Sequence, residues 1–188
     1  MDALLASFVA AALGEWGDKT QLLVIALAVR YRRPIPILSG VFVATLANSL
    51  IAAAGGAIVH DMVPLRGLSL LVALALVFAG VAGLIRPTPY KSDGTSRAGP
   101  FLVAAASFFV LEFGDKTQFL TFALSAQFNA FALAAAGATA GILVSSLPAA
   151  MLGEELAKAA PLKGLRIGLG ALFLAIGLFV AISALRLV

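Results

Sequence analysis

The chain has 188 residues, 62% of them hydrophobic and 12% charged, with a mean hydropathy of +1.07. A soluble domain carries about a quarter of its residues charged, so that class is excluded; at roughly 20 apolar residues per crossing, most of this chain must lie in a bilayer. The net charge of +4 is scattered over short connections, which excludes a nucleic-acid-binding stripe, and the lack of cysteine excludes a disulfide framework or a thiolate metal site.

Met1-Asp2-Ala3 lacks the basic start of a signal peptide, so the first apolar run is expected to be a retained helix. Six spans are predicted, at about 3–29, 35–59, 67–86, 100–126, 130–152 and 165–186. Arg30 to Pro34 ends the first, and Pro34 and Pro36 suit the opening turn of the next. His60-Asp61 with Pro64 and Arg66 separates the second from the third. The longest polar stretch, 87–99, is rich in Pro, Ser and Gly and reads as a linker between residues 1–86 and residues 100–188. Gln127-Phe128-Asn129 makes a tight fourth connection, and Glu154, Glu155, Lys158, Pro161 and Lys163 mark the fifth.

The first span is interrupted by Glu15-Trp16-Gly17-Asp18-Lys19-Thr20-Gln21. Ninety-seven residues later the fourth is interrupted by Glu112-Phe113-Gly114-Asp115-Lys116-Thr117-Gln118. Ionisable side chains in hydrocarbon are costly and mark ion paths or binding sites. The same ungapped shift lays Gly40 on Gly137, Ser49 on Ser146, Gly56 on Gly153 and Gly80 on Gly177, and Pro64-Leu65-Arg66-Gly67 on Pro161-Leu162-Lys163-Gly164. Alanine and leucine matches would be cheap here; matched glycines, prolines and a seven-residue polar motif are not.

The expected fold is therefore an all-α integral membrane protein of six transmembrane helices, arranged as two three-helix repeats. Three is odd, so the second repeat enters from the opposite side and the repeats are inverted. Arg30, Arg32, Arg33, Arg86, Lys91, Arg97, Lys158, Lys163 and Arg166 are assigned to one side, and only Arg66 and Arg186 to the other. That bias places the odd-numbered loops in the cytoplasm of a cell inner membrane and both termini outside. Inverted repeats with matching polar breaks are a secondary-transporter plan, with the site near the midplane.

On a continuous helix Glu15 and Asp18 share a face, as do Glu112 and Asp115, and Lys19 and Lys116 flank them. A pseudo-two-fold axis would gather the four carboxylates. Gly17 and Gly114 permit close helix approach or local unwinding. Asn48 and Ser49, with Ser145 and Ser146, stand further along the second helices as possible oxygen donors, the alternative for each hydroxyl being a bond to its own helix. Oxygen-only ligands select hard or intermediate cations. The lone histidine, His60, stands at a span end and is read as interfacial. Four carboxylates and two ammonium groups sum to −2, which one divalent cation or two protons would neutralise. A site that exchanges the two is the hypothesis. Holding helices together is the bland alternative, but a buried pair is a poor stability device and would leave Asp18 unexplained.

The duplicated Glu-x-Gly-Asp-Lys-Thr motif, in two halves of a small membrane protein, resembles the Golgi-type manganese/calcium transporter family, which has bacterial and chloroplast members. The resemblance covers nearly the whole chain and is closest to the compact bacterial form. It implies export of a divalent cation, Mn²⁺ or Ca²⁺, coupled to protons, with no resident cofactor. It also implies that Glu15, Asp18, Glu112 and Asp115 bind the cation, and Lys19, Lys116, Thr20 and Thr117 complete the motif. Gln21, Gln118 and Asn48 are taken as supporting candidates from their positions in the chain. Three rivals stand beside it: an intramembrane lipid-pyrophosphate phosphatase, weakened because no arginine is near either motif in sequence; an exporter of an organic cation; and a purely structural membrane partner. Nothing in the sequence decides on a homo-oligomer.

Overall fold

The computed structural model describes residues 1–85 and 98–185. Among them lie nine α-helices: α1 (Asp2–Gly14), α2 (Lys19–Tyr31), α3 (Pro34–His60), α4 (Leu65–Leu84), α5 (Pro100–Glu112), α6 (Lys116–Phe128), α7 (Phe131–Leu152), α8 (Glu154–Ala159) and α9 (Leu162–Leu185). Most of the expected linker, together with Arg86, Lys91, Arg97 and Arg186, lies outside the described residues.

Four helices, α3, α4, α7 and α9, are long and apolar enough to cross a membrane. They match the second, third, fifth and sixth expected spans to within a few residues. The first and fourth expected spans differ from the reading as continuous helices. Each is a pair of 13-residue helices separated at the polar motif. Thirteen residues reach about 20 Å, short of the ~30 Å hydrocarbon core. The cause of each break is local: Gly17 and Gly114 adopt φ of +72° and +75°, which an L-residue adopts only under strain. Asp18 and Asp115 then restart the chain in extended conformation as N-caps.

The halves pack by exchange. α1 lies on α7 and α5 on α3, while α2 meets α7 and α6 meets α3. Small residues set these contacts. Gly137 lies against the Leu4 carbonyl and Gly40 against that of Phe101, 97 residues on, so a methyl group at either glycine would strike backbone. The third helices of the two halves, α4 and α9, pair closely through Gly80, Gly83 and Gly170. Arginines close that pair. Arg66 donates from Nε to Ala184 O (2.7 Å) and from Nη2 to Leu185 O (2.8 Å), and Arg166 Nη1 donates to Ile85 O. Each cation thus sits at the carbonyl end of the opposing helix, where the helix dipole favours it.

One element has no equivalent in the first half. α7 ends at Gly153, and the short α8 turns back on α2 and α7. Its Leu156 is buried, whereas Lys158, Glu154 and Glu155 are exposed and lie 3.4 to 3.6 Å apart. Those two carboxylates push the Lys158 ammonium up.

Candidate functional site

The two breaks carry matched hydrogen bonds. The Gly17 N–H donates to Gln21 Oε1 (2.8 Å) and the Gly114 N–H to Gln118 Oε1 (2.5 Å). Each glutamine then uses its amide NH₂ on the other half: Gln21 Nε2 reaches Ser145 O (3.0 Å), and Gln118 Nε2 reaches Asn48 O (3.4 Å). Positions 48 and 145 are again 97 apart. The glutamines thus close the gap in their own helix and fix it to the second helix of the opposite half. The Gly17 amide is buried and requires such a partner, whereas the Gly114 amide is exposed.

The lysines also act across the halves. Lys116 Nζ donates to Asp18 Oδ2 in a buried pair, and Lys19 Nζ stands 3.3 Å from Asp115 Oδ2 in a more accessible one. The helical spacing had suggested Glu15–Lys19 as neighbours. Breaking the helix at Gly17 swings Lys19 into α2 and away from that partner. Each aspartate therefore meets an ammonium group, and the two glutamates are left without an ion-pair partner.

Glu15 and Glu112 are equally buried, at 1% exposure, but differently held. Glu15 accepts Thr117 Oγ1 at 2.6 Å on Oε1 and the Thr20 hydroxyl on Oε2. Neither oxygen of Glu112 has a hydrogen-bond partner. Both threonines of the duplicated motif thus serve one glutamate. Among the described residues, no three carboxylate or histidine side chains close on a single metal position. The expected gathering of four carboxylates takes the form here of two Asp–Lys pairs and two separate glutamates.

A second asymmetry concerns access. Gly17 is covered by the Leu162 carbonyl and the Arg166 side chain at the start of α9. Gly114 has open space around it and borders a cavity of about 650 Å³ lined by Ile51, Leu74, Phe78, Phe119 and Phe122, with Asp115 and Gln118 at its floor. One motif is sealed and the other open.

Arg166 is a residue the sequence reading misplaced. It was assigned to a loop, and no arginine was expected near either motif. In the fold it lies in the second turn of α9, 7% exposed and beside Gly17, with its guanidinium turned to Ile85 rather than to the carboxylates. The chain register held no signal for this, because the contact depends on how α9 approaches the break between α1 and α2. The other candidates fall as follows. Asn48 Nδ2 donates to Phe109 O (3.1 Å), leaving Oδ1 without a partner. The Ser145 hydroxyl donates to Ile142 O (2.8 Å) on its own helix. His60 Nδ1 donates to Ala126 O (2.6 Å), a contact between α3 and α6.

Comparison with known proteins decides what kind of molecule carries this site. The family model described as divalent cation/proton antiporter GDT1 matches residues 3–89 and 100–187. The chain belongs to this family. It is 40% identical over 185 residues to a Vibrio cholerae protein named "Putative manganese exporter", covering 96% of this chain and 91% of that one. No solved structure matches. The protein is a multi-pass membrane transporter of divalent cations and protons, not an enzyme, and the phosphatase and structural-partner readings are set aside.

Proposed function

We propose that the protein exports Mn²⁺ across the cell inner membrane in exchange for protons, through the site formed where the two motifs meet. The Vibrio relative's name supports manganese as cargo, and the oxygen-only donor set accepts it, as it would Ca²⁺. In this reading α1–α2 and α5–α6 each complete one crossing, giving six spans in two inverted three-helix repeats with both termini outside the cytoplasm. The exchange of packing partners between halves and the matched breaks support that arrangement.

The observation that carries the mechanism is the charge distribution. Lys116 and Lys19 neutralise Asp18 and Asp115, so Glu15 and Glu112 hold the surplus −2 that one divalent cation or two protons would cancel. Asp18 and Asp115, at the N-termini of α2 and α6, complete the cation's surroundings when their lysines yield. Thr20 and Thr117 hold Glu15 when the cation is elsewhere. Closure at Gly17 with opening at Gly114 fits one of two alternating states.

Reconstitution into liposomes tests this. An inwardly imposed pH difference should drive Mn²⁺ movement in the opposite direction, and Glu15→Gln or Glu112→Gln should abolish it. Cation flux indifferent to pH gradients, or preserved in both variants, would refute the reading.

A further inference from the structure

One pair of matched positions beside the site differs between the two halves. Asn48 on α3 corresponds to Ser145 on α7. Ser145 turns its hydroxyl back to Ile142 O at 2.8 Å and is satisfied. Asn48 is anchored by its NH₂ to Phe109 O, on the helix that carries Glu112 and one turn before it. That anchor fixes the amide plane and leaves Oδ1 buried without a partner. Asn48 is 2% exposed and Glu112 1%, and both line one small pocket with Ser49, Thr117 and Thr121.

Three buried oxygens thus share that pocket unpartnered: Asn48 Oδ1 and both oxygens of Glu112. Leaving a buried acceptor unsatisfied is costly, and more so for a charged one. The pocket has no room for a water molecule, so solvent cannot repair the deficit. A dehydrated divalent cation is smaller than water and is satisfied by acceptors alone. Among the described residues no three acidic side chains converge on one metal position in this state, which leaves a place for neutral oxygen beside the carboxylates.

We propose that Asn48 is a direct cation ligand through Oδ1, and that it makes the Glu112 half the tighter of two unequal half-sites. This rests on the transport reading above and deepens it. Glu112 supplies the charge and Asn48 the neutral oxygen, on the half that borders the open cavity beside Gly114. The Glu15 half, with its carboxylate bonded to two threonines and Ser145 turned away, is the weaker partner until its hydrogen bonds exchange.

The test is Mn²⁺ binding to the purified full-length protein in lipid nanodiscs, read by the free Mn²⁺ electron paramagnetic resonance signal. Asn48→Ser installs the residue of the mirror position, and Ser145→Ala is the matched control. Asn48→Ser should weaken Mn²⁺ binding at least about tenfold, the loss usual for residues that support a metal site, and Ser145→Ala should leave it within about twofold. Thermal midpoints of both should stay near wild type; if Asn48→Ser does not fold, Asn48→Thr takes its place with the same expected loss. Wild-type affinity in Asn48→Ser with binding lost in Glu112→Gln would overturn the proposal and leave the transport reading standing. Equal losses at positions 48 and 145 would overturn the inequality of the half-sites. Undiminished binding in Glu112→Gln would overturn both.

Discussion

Lys116 and Asp18, 98 residues apart in the chain, form a buried ion pair that joins the second polar motif to the first. Its mirror, Lys19 with Asp115, is looser and more accessible to solvent. Removing one partner of a buried pair strands a charge, at a cost of about 3–5 kcal/mol. Asp18→Asn should therefore lower the thermal midpoint in detergent clearly more than Asp115→Asn. Combining Asp18→Asn with Lys116→Met should recover much of that stability without restoring transport. Equal destabilisation by the two aspartate variants would show that the pairs are equivalent in solution.

Gly17 and Gly114 share a left-handed backbone, so alanine at either position incurs roughly 1–2 kcal/mol of strain. Their surroundings differ. A methyl group at Gly17 would strike the Leu162 carbonyl, whereas at Gly114 it would meet open space. Gly17→Ala should displace the start of α9 and lose most transport, while Gly114→Ala should keep a measurable fraction. Side-by-side uptake assays at matched reconstitution levels check the order; a worse Gly114 variant would contradict the sealed-and-open description.

Much of this was legible in the chain. The 97-residue shift located the repeat because glycine, proline and charged residues match by chance rarely in so apolar a sequence, and Glu15 and Glu112 stood out for the same reason. What helical spacing could not supply was the partner of each lysine. Lys19 is four residues from Glu15, a natural helical pair, but the positive φ at Gly17 ends that helix before the pair forms. Arg166 and α8 were missed because their placement is set by tertiary approach, of α9 to the break at Gly17 and of α8 to α2, which leaves no periodic trace. The difference in how Glu15 and Glu112 are hydrogen-bonded was also hidden: their motifs are alike in sequence, and both threonine hydroxyls turn to Glu15.

Gln21 and Gln118 each satisfy an amide in the broken segment and grip a carbonyl of the opposite half. The two bonds of Gln21 are buried, and loss of such bonds costs about 1–3 kcal/mol. Gln21→Ala should therefore reduce both thermal stability and transport rate. Gln21→Glu keeps the acceptor for Gly17 but loses the donor to Ser145, and should fall between alanine and wild type. The milder Gln118→Ala should follow the same pattern, since its bond to Asn48 O is longer and the side chain only half-buried. Transport kinetics and unfolding curves measured on the same preparations test the ranking.

A ligand that binds only the folded protein raises its stability, by about 2.7 kcal/mol at a concentration one hundred times Kd. Mn²⁺ should accordingly raise the thermal midpoint of the wild type. The gain should shrink as pH falls, because protons compete for the same two glutamates. Glu15→Gln and Glu112→Gln should each show a reduced gain and a weaker pH dependence. A Mn²⁺-induced shift of the same size at all pH values would separate the metal site from the proton site.

With both aspartates matched to lysines and Glu15 and Glu112 proposed to take either one divalent cation or two protons, one quantity is decisive: the net charge moved per cycle. Exchange of one divalent cation for two protons carries none. Mn²⁺ flux in proteoliposomes with an imposed pH difference should therefore be unchanged when a potassium diffusion potential of either sign is applied with valinomycin. A flux that accelerates with one polarity and slows with the other would contradict the two-glutamate account.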